Sequence, residues 1–266
     1  MIRRAVLLMI VLACVAVQYV VPASAHHAWN GWHWSHAKNP VVLKIGSNVP
    51  ASWKSYLAAA AADWSKSAVV DTTIVAGNAC GQFTSGKVEV CAKDFNAGWM
   101  GASSVEVAVG GHIVAAWVKL NAKYLPDSKP AKRQMSICHE LGHSLGLAHQ
   151  DENFRNTNLG SCMDYTSKPT GPPSNEHPGQ GDYDQLLCLY DPAVKGKTLR
   201  TNTHSCTGTG HLDAALQGQQ APGNPIGEPQ QVEDDLYVQR LDNGNLRYTW
   251  VSWEDPASAH GLPRRR

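Results

Sequence analysis

Hydrophobic and polar positions along this chain alternate with two different periods, and the changes of period mark out its elements. Pro40 to Ile45 alternates with period two and predicts a first strand. After Pro50, Trp53, Leu57, Ala60, Ala61 and Trp64 recur at helical spacing, with Ser52 placed to cap the helix. Val69 to Val75 reads as a β-branched strand and Lys87 to Ala92 as another. Gly98-Trp99-Met100-Gly101 reads as a turn, and His112 to Asn121 alternates again. Pro130 stands near the start of a longer helix whose apolar positions Ile137, Leu141 and Leu145 lie at i, i+4 and i+8. Asp182-Tyr183-Asp184 starts a further helix through Leu186, Leu187 and Tyr190, with acidic residues at the favourable end of the helix dipole. Leu236 to Trp253 alternates around Asp242-Asn243-Gly244, a hairpin signal. A lone hairpin is not stable, so it either docks on the main domain or forms a small C-terminal appendage. The order strand, helix, strands, helix, with no parallel repeat, predicts an α+β fold.

The chemistry concentrates in the Pro130 helix, in His139-Glu140-Leu141-Gly142-His143-Ser144-Leu145-Gly146-Leu147-Ala148-His149. Histidines four apart on a helix differ by only about 40° around its axis, so His139 and His143 can bind one ion. Glu140 lies about a quarter-turn away, able to reach a water on that ion without ligating it. Gly146 accepts the left-handed conformation that ends a helix, and the turn brings His149 back as a third nitrogen donor. Three neutral imidazoles with one open position make a catalytic zinc arrangement. The competing reading, an ordinary helix with solvated histidines, explains a lone pair but not the glutamate, glycine and third histidine in register.

These residues match His-Glu-x-x-His-x-x-Gly-x-x-His, and the chain here resembles the metzincin zinc peptidases. That family also carries a methionine turn, which Ser161-Cys162-Met163-Asp164-Tyr165 resembles. The resemblance implies a mixed twisted sheet, an active-site helix and a C-terminal helix after the methionine turn. It implies that Met163 supports the imidazoles without binding the ion, and that Thr166 to Gln180 walls the specificity pocket. It implies that the strand at His112 to Asn121 is an edge pairing with extended substrate. Tyr165 matches the tyrosine of astacin- and serralysin-like members, which binds zinc or stabilises an oxyanion, where vertebrate matrixins usually have proline. Gln150 matches none of the best-known subfamily markers. The motifs are specific from 139 to 165 and the resemblance spans roughly 40–190.

Composition adds bounds. The chain has 266 residues, 43% of them hydrophobic and nine of them tryptophan, enough for a substantial core. Its 23 basic residues, two of them in the leader, stand against 22 acidic ones, which argues against a nucleic-acid partner. Residues 1–25 read as a secretory signal, with Arg3 and Arg4, an apolar run from Ala5 to Val21, and Ala23-Ser24-Ala25 as the cleavage site; a membrane anchor is the alternative. After cleavage nothing else spans a bilayer, and the product is expected to be extracellular. Removing Cys14 with the leader leaves six cysteines, which suits an exported protein with disulfides. Of fifteen pairings, Cys80 with Cys91, Cys138 with Cys162 and Cys188 with Cys206 are favoured, the second against free buried thiols. His26 to Asn39 holds four histidines and three tryptophans, either a zinc-masking tail or an aromatic strap on the catalytic domain. It has no cysteine of the kind that keeps vertebrate matrixins latent. Asp151 to Leu159 admits a calcium site or, more simply, a solvated loop. The expected organisation is a catalytic domain over 26–206, a Gly/Pro/Gln-rich linker over 207–231 and a hairpin appendage over 232–266.

The function expected is a secreted zinc endopeptidase acting on polypeptide, with Glu140 as base. The alternatives are a zinc amidase acting on cell-wall peptides and a non-catalytic zinc-stabilised binding module, against which the intact Glu140 argues. No feature of the sequence sets an oligomeric state.

Overall fold

The computed structural model describes residues 27–194, 228–233 and 235–253. The readings on the leader, Cys206, most of the linker and the terminal arginines lie outside these residues. The described chain is α+β. Its strands are β1 (His33–Trp34), β2 (Val41–Asn48), β3 (Val70–Ala76), β4 (Lys87–Lys93), β5 (Trp99–Val107), β6 (His112–Asn121), β7 (Gln230–Gln231), β8 (Leu236–Arg240) and β9 (Leu246–Trp253). The helices are α1 (Lys54–Trp64), α2 (Pro130–Ser144) and α3 (Gln180–Tyr190). Among the described residues no helix is long and apolar enough to cross a membrane.

One mixed sheet runs β3-β2-β4-β6-β5-β9-β8-β7, with β1 pairing the start of β6. Five of its strands are parallel, since β2 pairs β3 and β4, and β6 pairs β4 and β1, all in the same sense. The mixed sheet that the resemblance implied is present, with more parallel pairing than the element order by itself suggested. The β2–α1–β3 crossover supplies it, and β4 shows the consequence: Val88 to Ala92 are buried in an unbroken run, as in a strand covered on both faces. On β2, buried and exposed residues alternate at its start, which is why its period was readable.

Three further expectations change. Residues 98–101 are not a turn; Trp99 begins β5, which runs antiparallel to β6. Its Met-Gly-Ala-Ser-Ser segment lacks the β-branched residues that mark strands, because the strand is buried and closely approached by its neighbours. Nor is β6 an edge, having β4 on one side and β5 on the other. Ser52 makes no capping bond; α1 is entered through a 3-10 turn at Ala51–Trp53.

Of the two outcomes left open for the hairpin, docking is observed. β9 pairs along β5 from Val107↔Leu246 to Trp99↔Trp253 and continues the sheet. Leu236, Val238, Tyr248 and Trp250 join the main core. The His/Trp-rich segment packs as a strap: Trp29, Trp32 and Trp34 are buried, and the Ala148 N–H donates to His27 O at 2.7 Å. Cys80–Cys91 and Cys138–Cys162 are disulfides, so the free-thiol alternative does not hold.

Candidate functional site

Helix α2 is buried from Arg133 to Ser144, not only along the Ile137, Leu141 and Leu145 stripe. β5 lies against it at Gly101, where an added Cβ would collide with the Glu140 carboxylate. On another side, a Cβ on Gly142 would meet Met163 Sδ and the Trp64 ring. Glycine at 142 is therefore a packing requirement: Met163, fully buried, presses into the helix between the two histidines. Trp64 Nε1 donates to Cys138 O, and the Cys138–Cys162 bridge ties the residue before His139 to the residue before Met163.

The helix ends at Ser144, and Gly146 takes φ +97°, the left-handed turn expected of it. Trp32 O occupies the space where a side chain at 146 would stand, so the strap closes over this turn. His149 then returns to the helix. Its segment is held to the methionine turn by Gln150 N–H to Met163 O and Tyr165 N–H to Asp151 O.

The three imidazoles converge. His143 Nε2 lies 3.0 Å from His139 Nε2 and 3.1 Å from His149 Nε2. Each Nδ1 faces an acceptor: Cys162 O at 2.7 Å for His139, Leu147 O at 2.8 Å for His143, and Glu152 Oε1 at 2.9 Å for His149. A carbonyl or carboxylate can only accept, so each Nδ1 carries the proton and each Nε2 presents a bare lone pair. Three lone pairs aimed at one point repel one another unless a cation sits there; the donor set fits zinc. Burial and the neighbouring His149 hold His139 down to about 3, and burial with both neighbours holds His143 well below its usual value, so these two are neutral at neutral pH. For His149 burial works downward, but Glu152 and Asp235 outweigh it and raise the pKa.

Glu140 is fully buried beside this cluster. Its Oε1 accepts from Ser252 Oγ at 2.6 Å, while Oε2 is buried and has no hydrogen-bond partner among the described residues. Burial pushes its pKa up to about 8, partly offset by the Ser252 hydroxyl. The Tyr165 ring lies 4.2 Å from the His149 ring and 5.5 Å from that of His139. Its hydroxyl donates to Asp235 Oδ2 at 2.8 Å, and burial and this carboxylate raise its pKa well above the usual value. A narrow pocket of about 20 Å³ lies beside His139 and Glu140, lined by Met100, Met135, Phe154 and Thr166 and, from β9, by Ser252.

Several site residues carried no sequence signal. Trp250 stacks on His143 with centroids 5.2 Å apart and planes 16° apart, and Trp29 packs against Trp250 at 5.0 Å. Asp235 lies 3.5 Å from His149 Nδ1 as well as bonding Tyr165. Asp182, legible only as a helix-start acid, accepts from Ser161 Oγ and the Gly179 N–H and pairs with His27 Nε2, joining strap, methionine turn and α3. His177 bonds Asp63 and takes no part in the cluster. In the 151–159 loop both Asp151 oxygens accept from the loop itself, from Asn153 and Asn156. Cys188 belongs to α3, and its expected partner Cys206 lies outside the described residues.

No protein-family model matches this chain, and no curated protein does. Among solved structures it is similar to two of myroilysin, both at 13% identity. One has a TM-score of 0.39 and covers 62% of this chain and 98% of that one; the other has 0.37, with 60% and 86%. Likeness of that degree leaves the reading of the site to its own geometry.

Proposed function

We propose that this chain is a secreted zinc endopeptidase of metzincin type, with astacin-like or matrixin-like affinities. The observation that carries the proposal is the convergence of three Nε2 lone pairs with every Nδ1 tied to an acceptor, beside a buried carboxylate on the same helix. His139, His143 and His149 would hold the ion, which when bound supplies a Lewis acid that activates water and polarises a carbonyl. Glu140, whose carboxyl the charge of a bound ion would return to the ionised form despite its burial, takes the proton of the attacking water and passes it to the leaving amine. Met163 supports the ligand-bearing turn of α2, and Tyr165, protonated at neutral pH, is a hydrogen-bond donor available to a developing oxyanion once its hydroxyl leaves Asp235.

In the same reading, residues 1–25 are a cleaved signal, 26–206 the catalytic domain, 207–231 a linker and 232–266 a C-terminal hairpin segment. The two disulfides accord with export. The test is elemental analysis of the purified protein together with hydrolysis of a denatured protein, with and without chelator, beside a digest of purified cell wall. Zinc near one per chain and chelator-sensitive proteolysis are expected. Activity on cell wall alone would favour the amidase, and zinc without either activity the binding module.

A further inference from the structure

β5 is the strand that borders the catalytic helix, with Gly101 pressed against Glu140. Its outer edge would offer a row of unpaired backbone groups running past that carboxylate, the kind of edge on which an extended polypeptide docks as an added antiparallel strand. That edge is filled by β9 of the chain itself, antiparallel and in register as Gly101↔Ser252, Ser103↔Trp250 and Val105↔Tyr248. The hairpin does more than cover a sheet edge. Ser252 bonds Glu140 at 2.6 Å, Trp250 stacks on His143, and Asp235 engages both Tyr165 and His149. Four groups of the proposed site are thus held by one segment distant in sequence. Glu140 and His143 are left with no exposed surface, and His139 and His149 with 4% and 6%.

We infer that the C-terminal hairpin is an internal inhibitor: β9 occupies the track of an extended polypeptide substrate along β5, and must leave it before substrate can reach Glu140. The inference rests on the endopeptidase reading and adds its regulation. A polypeptide laid antiparallel on β5 would meet the same backbone groups that β9 uses now, so the two occupants are mutually exclusive. Asp235 and Ser252 are polar groups directed at the tyrosine and the glutamate, contacts that pairing with the sheet does not require.

The test uses the full chain. Ser104 and Thr249 face each other across β5 and β9 with their hydroxyls 2.8 Å apart, away from the proposed ligands and base. A Ser104→Cys/Thr249→Cys variant, oxidised, should lock the hairpin. It is compared with each single variant for zinc content and for hydrolysis of a fluorogenic peptide. Equal zinc with at least tenfold slower hydrolysis in the locked protein is expected. Leu236→Ala, which weakens the buried seat of the hairpin without touching the site, should raise hydrolysis severalfold, whereas a merely structural hairpin would make it fall. Locked protein as fast as the single variants, or a loss of activity in Leu236→Ala, overturns the inhibitory role and leaves the endopeptidase reading intact. Zinc-loaded protein that hydrolyses nothing in any form overturns both.

Discussion

Glu140 and Gly142 stand two residues apart and answer to different constraints. Glu140→Gln keeps the volume and the Ser252 contact but removes the proton acceptor. Zinc content should be unchanged, with hydrolysis of peptide lower by about a thousandfold or more, as elemental analysis and turnover on the same sample will show. Gly142→Ala acts through packing: the new methyl meets Met163 Sδ and the Trp64 ring, both buried in a closed core. Overpacking of this kind costs about 1–3 kcal/mol, read by denaturant unfolding. The glutamate could be singled out from the spacing of the motif. The reason for glycine at 142 could not, because Met163 and Trp64 come from distant parts of the chain.

At the scale of elements, the site is a junction of α2, the methionine turn, the N-terminal strap and the hairpin. The Cys138–Cys162 bridge closes a 24-residue separation across that junction. Replacing both cysteines by serine should cost on the order of 3 kcal/mol and weaken zinc retention, measured by unfolding and by competition with a chelator. Asp182 joins three of the pieces. Asp182→Ala leaves the His27 ring, the Ser161 hydroxyl and the Gly179 N–H without their acceptor, and should cost about 3 kcal/mol with the strap loosened, seen as faster amide exchange around Ala148. The long elements α2 and β6 were legible in sequence because their residue types keep a helical and an alternating period, although the fold buries both well beyond it. β5 was not: its small residues answer to what presses on it from α2, β6 and β9.

For the whole molecule, an ion held by the three imidazoles would couple its binding to folding. A native state that gathers three lone pairs at one point is relieved by a cation, and an ion that binds only the folded chain stabilises it by mass action. Chelation should lower the thermal midpoint and zinc should restore it, a comparison made by calorimetry at fixed pH. If the midpoint does not move, the cluster is not a metal site.

The sequence by itself determined the parts of this protein whose logic is local. Histidines four apart, a glutamate beside the first and a glycine that turns the chain are set by helix geometry, which needs no knowledge of the rest of the fold. The tertiary structure decided what surrounds them. Ser252 meets Glu140 across 112 residues of chain and His27 meets Asp182 across 155, and neither contact leaves a period or a spacing to read. A sheet edge, too, is defined only once every strand has found its neighbour, which is why the edge beside α2, and the strand that fills it, came to light only in the folded chain.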